Sequence, residues 1–131
     1  MTDPESPLDL DPAGLAVRRE VLGAEHVDAA LERTDDTTAA FQEMITRYAW
    51  GGIWTRPGLD RRMRSAITLT ALVAHGHLVE LELHLRGALR NGLTRAEIVE
   101  VLMQSAIYCG VPAANSAFRV AQRVLAEEPE G

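Results

Sequence analysis

Apolar residues recur at three- and four-residue spacing through most of the chain, and the pattern is interrupted at Gly23, Gly51-Gly52, Gly76, Asn91-Gly92 and Gly110. That is the period of amphipathic helices closed by C-terminal glycines. It predicts helices near 14–22, 25–33, 36–50, 60–75, 77–91, 95–109 and 113–127, an all-α fold with its longest loop at 51–59. Start signals agree with several of these. Asp60 stands before the fourth helix, Thr94 and Glu97 form a Thr-x-x-Glu box ahead of the sixth, and Pro112 falls in the opening turn of the last.

Two of these helices are apolar on more than one face. The run Ala66-Ile67-Thr68-Leu69-Thr70-Ala71-Leu72-Val73-Ala74 has no polar stripe, and 95–109 adds Ile98, Val99, Val101, Leu102, Met103, Ala106 and Ile107. A chain of 131 residues buries about two-thirds of its unfolded surface, too little to cover both helices all round, so a homo-oligomer is expected. One helical domain over 13–127 is expected, between a proline-rich flexible tail at 1–12 and an acidic tail at 128–131.

Composition narrows the partners. Thirteen Lys and Arg against 19 Asp and Glu leave a net charge of −6, which argues against a nucleic-acid backbone as ligand. No run approaches the length of a membrane span, and the opening residues lack a signal peptide's basic and apolar regions, so the expected location is the cytoplasm. The single cysteine, Cys109, excludes an intrachain disulfide and a Cys-x-x-Cys pair, and with no basic neighbour in sequence it reads as a structural thiol.

Candidate chemistry lies mainly on the fourth and fifth helices. Glu80 and His84 are four residues apart, which places them one turn apart on one face, with His77 three residues earlier. Two readings are open: an acid–base pair working near neutral pH, or an exposed helical ion pair. The His-x-x-Glu-x-x-x-His spacing also suits a metal, but no fourth ligand is evident, and no metal is expected. Arg61, Arg62 and Arg64 follow Asp60 at a helix N-terminus, where the dipole disfavours cations. An anion should compensate: a ligand carboxylate gripped by guanidinium forks, or salt bridges to Asp36, Glu43 or another subunit. Tyr48, Trp50, Trp54 and Tyr108 read as core or interface aromatics, and Asn115 is open between a cap and a ligand contact.

The motifs resemble the carboxymuconolactone decarboxylase family. The resemblance is carried by Arg18-Arg19-Glu20-Val21-Leu22-Gly23 with His26-Val27, by Ile45 to Asp60 around Trp50-Gly51 and Trp54, by Glu80-Leu81 and Leu83-His84 through Gly92, Thr94 and Glu97-Ile98, and by Ile107-Tyr108-Cys109-Gly110-Val111-Pro112-Ala113-Ala114-Asn115. It covers roughly residues 15–126. It implies an all-α subunit of a homotrimer or homohexamer that decarboxylates a dicarboxylate lactone, 4-carboxymuconolactone, to 3-oxoadipate enol-lactone in the β-ketoadipate pathway without a cofactor. The related alkylhydroperoxidase branch carries Cys-x-x-Cys-x-x-x-His, and here His77 and Glu80 occupy those cysteine positions, which speaks against redox chemistry; the alternative is a redox-related or small-ligand-binding member without decarboxylase activity. Resemblance and spacing together make His84, Glu80 and Arg64 the expected catalytic residues. Arg61, Trp54, Tyr108 and Asn115 are the expected substrate contacts.

Overall fold

A computed structural model describes residues 8–128, and every regular element among them is helical. Seven α-helices run in order: α1 Pro12–Leu22, α2 Ala24–Glu32, α3 Ala39–Ile45, α4 Arg61–His75, α5 Leu78–Arg90, α6 Arg95–Cys109 and α7 Val111–Glu127, with a π-helical turn, Thr46–Trp50, continuing α3. Contacts divide the chain into two compact units, one ending at Gly58 and one beginning at Leu59. The tail residues 1–7 and 129–131 lie outside the described residues.

In the first unit α1 packs on the π turn and on α2. Asp11 caps α1 by accepting from the Gly14 amide at 2.8 Å, and Pro12 occupies the opening turn, so helix begins inside the stretch expected to be tail. Val17, Val21, Leu22, Val27, Ala39 and Trp50 are buried. The continuous helix expected over 36–50 is not present. Residues 35–38 form a turn tied by the Asp35 carboxylate, which accepts from the Thr37 amide at 2.9 Å; α3 then starts at Ala39 and widens at Thr46. Gly51 follows the widened turn with φ −82°, so it is not the left-handed cap that its place in the sequence suggested. Its missing side chain serves close packing instead: a Cβ there would meet the Asp11 carboxylate, and one on Gly14 would overlap the Thr46 carbonyl.

The second unit is a four-helix core. Leu69 and Val73 of α4, Leu81, Leu85 and Ala88 of α5, Ile98 and Leu102 of α6, and Ala117, Val120, Ala121 and Val124 of α7 form one buried cluster. Asp60 caps α4, and Gly76 in the left-handed conformation (φ 70°) ends it. Thr94 and Glu97 complete the reciprocal capping box on α6. Two pairs set the register of α4 against α6: Arg62 with Glu97, and the Thr70 and Ser105 hydroxyls at 3.0 Å. Both pairs are 35 residues apart, so the two helices run parallel. Asn91 donates to the Ser65 hydroxyl at 2.8 Å, fixing the antiparallel pairing of α4 with α5.

Two expectations change here. α7 begins at Val111, two residues earlier than its sequence boundary, because Gly110 (φ 98°) turns the chain directly into it. Glu128, assigned to the tail, is held by the Arg86 guanidinium at 3.2 Å, and its carbonyl accepts from Arg95.

Candidate active site

Arg64 enters from the first turns of α4, where the Asp60 cap starts the helix, and His84 from the middle of α5. Both are half-buried, and the Arg64 Nε and the His84 Nδ1 are screened from solvent. The Ser65–Asn91 bond places Arg64 level with the end of α5. His84 lies two turns before Asn91, so the two side chains are offset by about 10 Å along the helix axes. A cation and an imidazole so placed can hold one end of a small acid and exchange a proton near the other.

Glu80 lies one turn before His84, as the spacing requires, but it is exposed, and among the described residues no hydrogen bond or ion pair joins it to the imidazole. His77 is not on the helical face expected for it. It is the N-cap of α5, in a non-helical conformation, and its ring stacks on His75 with centroids 5.6 Å apart. Among the described residues no group of three or more His, Cys, Asp or Glu is arranged to hold a metal ion.

The arginines at the head of α4 divide by role. Arg62 donates to the Glu97 carboxylate and to the Gly92 carbonyl, so its compensating anion is the capping-box glutamate and not Asp36 or Glu43. The Arg62 bond, with that from the Thr94 amide, holds the Glu97 carboxyl at about 2, and Glu97 in turn raises Arg62. Arg61 and Arg64 are both half-buried.

The remaining expected contacts are distributed. Trp54 belongs to the first unit, where it stacks on Trp50 with centroids 5.1 Å apart and planes 25° apart. Tyr108 is 82% exposed at the end of α6, so it is not a core aromatic in the single chain, and Tyr48 is likewise exposed. Asn115 is exposed near the start of α7, a helix without a side-chain cap, which removes the capping reading. Cys109 is half-buried against the core. None of these residues lines the open groove of about 460 Å³ between α4 and α6, which is formed by Ala66, Ile67, Thr70, Glu100, Val101 and Gln104. Its single charge is a carboxylate, a poor host for a dianion.

Sequence reasoning passed over Arg18, a buried arginine on the inner face of α1. The available signal was its position on the helix, one turn after Gly14 and on the side of Val17 and Val21.

The described residues form a small all-helical protein that carries a half-buried arginine and a half-buried histidine on neighbouring helices. Residues 39–123 match the carboxymuconolactone decarboxylase family, and the chain belongs to that family. It is 45% identical over 112 residues to a 4-carboxymuconolactone decarboxylase of Acinetobacter baylyi, covering 86% of this chain and 84% of the relative. It is equally 45% identical over 112 residues to the nitrosuccinic acid decarboxylase npaB of Metarhizium robertsii, covering 86% of this chain and 78% of that protein. A third relative, an uncharacterized 15.0 kDa protein of Paracoccus denitrificans, is 37% identical over 109 residues. Among the described residues no helix is long and apolar enough to cross a membrane.

Proposed function

We propose that the protein is a carboxy-lyase acting on 4-carboxymuconolactone. The observation that carries this is the 45% identity to a decarboxylase of that name across most of both chains. Arg64 and His84, the two residues the family resemblance singles out, support it by standing on adjacent helices with polar atoms screened from solvent.

The chemistry asks little of the protein beyond charge placement and one proton. The lactone's ring carbon bears a carboxylate and an acetate arm. When the bond to the carboxylate breaks, CO₂ leaves and the electron pair passes into the ring as a dienolate, with the charge on the lactone's carbonyl oxygen; protonation at the carbon next to that carbonyl gives the enol-lactone. Arg64, with Arg61, holds the acetate arm through the planar fork of its guanidinium. His84 in its imidazolium form donates the proton, and Glu80, drawn toward it once it is charged, favours that form. Tyr108 and Asn115 supply contacts that orient the ring; Trp54, in the first unit, is a substrate contact on the family resemblance alone.

A second substrate is favoured by a specific observation, the equal similarity to a nitrosuccinic acid decarboxylase. Nitrosuccinate and carboxymuconolactone share one motif, a carbon bearing both a carboxylate and an acetate arm, and differ in the group that accepts the electron pair. The same arginine grip serves both. Incubation of purified protein with freshly generated 4-carboxymuconolactone, and separately with nitrosuccinate, decides between them. Release of CO₂ with appearance of the enol-lactone establishes the first, and turnover of nitrosuccinate alone replaces it.

The proposal includes a homo-oligomer. Met63, Ile67 and Ala71 form an exposed line along α4, and Val99, Met103 and Ile107 form another along α6. These exposed apolar side chains are surface that a second copy of the chain would cover.

A further inference from the structure

Among the described residues Arg18 is the one charged residue that is buried, 5% exposed on the inner face of α1. Its Nη1 donates to the Gln42 Oε1 at 2.9 Å and, more weakly, to the Thr46 Oγ1 at 3.4 Å. Among the described residues no carboxylate is its partner, and its Nε is buried without a hydrogen bond. Burial lowers its pKa, yet a guanidinium starts so far above neutrality that it stays charged.

A buried cation with no counter-charge is unfavourable unless dipoles take the anion's place. Here they belong to α3 and the turn that follows it. Gln42 and Thr46 stand one turn apart where α3 passes into the π turn, and the dipoles that face Arg18 are their side-chain oxygens. The Thr46 hydroxyl gives its hydrogen to the Gln42 carbonyl at 2.7 Å, so it faces Arg18 as an acceptor. Thr46 is also where the helix widens: its carbonyl accepts from the Gly51 amide at 2.9 Å, and the Ala49 carbonyl from the Trp54 amide at 3.0 Å, each spanning five residues. One turn before Arg18, the bare Cα of Gly14 lies directly on that Thr46 carbonyl. α1 thus grips the start of the π turn at two points, one by close packing and one by charge.

We propose that Arg18 is a positioning residue. Its guanidinium pins Gln42 and Thr46, fixes the widening of the chain at Thr46, and so sets the register in which Trp50 stacks on Trp54. The effect on turnover rests on the assignment of Trp54 to substrate made above; the effect on the indole stack does not.

The two halves are read separately. Trp50 and Trp54 are the only tryptophans in the chain, so tryptophan emission and the circular-dichroism couplet of stacked indoles report on this turn alone. Arg18→Met should keep its helical signal and assembled mass, lose the couplet, and raise KM by about tenfold with a smaller change in kcat. Arg18→Lys, which returns the charge on a shorter stem, should recover part of both. Thr46→Val removes the acceptor at nearly constant shape and should move couplet and KM in the same direction by less, which keeps the test open if Arg18→Met fails to fold. An Arg18→Met protein with an intact couplet overturns the proposal, as does an intact couplet in Thr46→Val when the arginine variant is unfolded. If Trp54→Ala leaves KM within about twofold of wild type, the substrate assignment fails while the couplet still decides the role of Arg18.

Discussion

At the scale of single residues, the strongest expectations concern His84 and Arg64. Loss of a general acid lowers rate by about 10²–10⁴, so His84→Gln should fold and assemble normally and lose most of kcat, read by steady-state kinetics on the proposed lactone. Arg64→Lys keeps the charge and loses the fork, and KM should rise by about tenfold with little change in melting temperature. Glu80→Gln is a subtler probe. A nearby carboxylate raises the pKa of an imidazole, so its removal should move the alkaline limb of the pH–rate profile to lower pH, because the proposed mechanism needs His84 protonated. An unmoved limb would assign Glu80 to the solvated surface where the resting structure places it. The positions of His84 and Glu80 were legible from their spacing, because four residues always make one helical turn. The absence of a bond between them was not legible, because spacing does not fix a rotamer. The partner of Arg62 was missed for a related reason: Glu97 lies 35 residues away, and only the parallel register of α4 and α6 brings it near.

At the scale of elements, boundaries were legible wherever a local cap defines them. α6 spans Arg95–Cys109, the range read from the sequence, because Thr94 and Glu97 satisfy its first amides without outside help. The break in 36–50 was not legible, because the widening at Thr46 depends on α1, a separate element whose Gly14 and Arg18 press on it. Glu97 serves both the capping box and the tie to α4, and the two can be separated. Glutamine also closes a capping box, so Glu97→Gln should keep the helix start and lose only the ion pair. The folded-state value of Glu97 is depressed to about 2 from an ordinary 4.5. Its contribution is therefore present above the unfolded value and lost as pH falls through the interval between the two. Thermal melts over that interval should show wild type converging on Glu97→Gln from above. Parallel melting curves would mean that solvent already screens the pair.

At the scale of the whole molecule, α4 and α6 leave large apolar side chains exposed, Ile67 at 55% and Ile107 at 79% among them, and the proposed homo-oligomer would cover these. Ile67→Glu combined with Met103→Glu should reduce the mass seen by light scattering to that of a single chain while the helical signal persists; an unchanged mass would place the subunit contacts elsewhere. What the sequence did not reveal is the division at Gly58 and Leu59, since helical periodicity says nothing about which helices share a core. The connections within the second unit carry a consequence of their own. α4 passes to α5 through Gly76 and His77, α5 to α6 through 91–94, and α6 to α7 through Gly110 alone. Little chain entropy is lost in closing such short links, and most contacts they create join neighbours in sequence. The α4–α7 core should therefore assemble on the microsecond-to-millisecond scale of low-contact-order helical proteins. A slower phase whose rate rises with protein concentration would report subunits of the proposed oligomer meeting after their cores have formed.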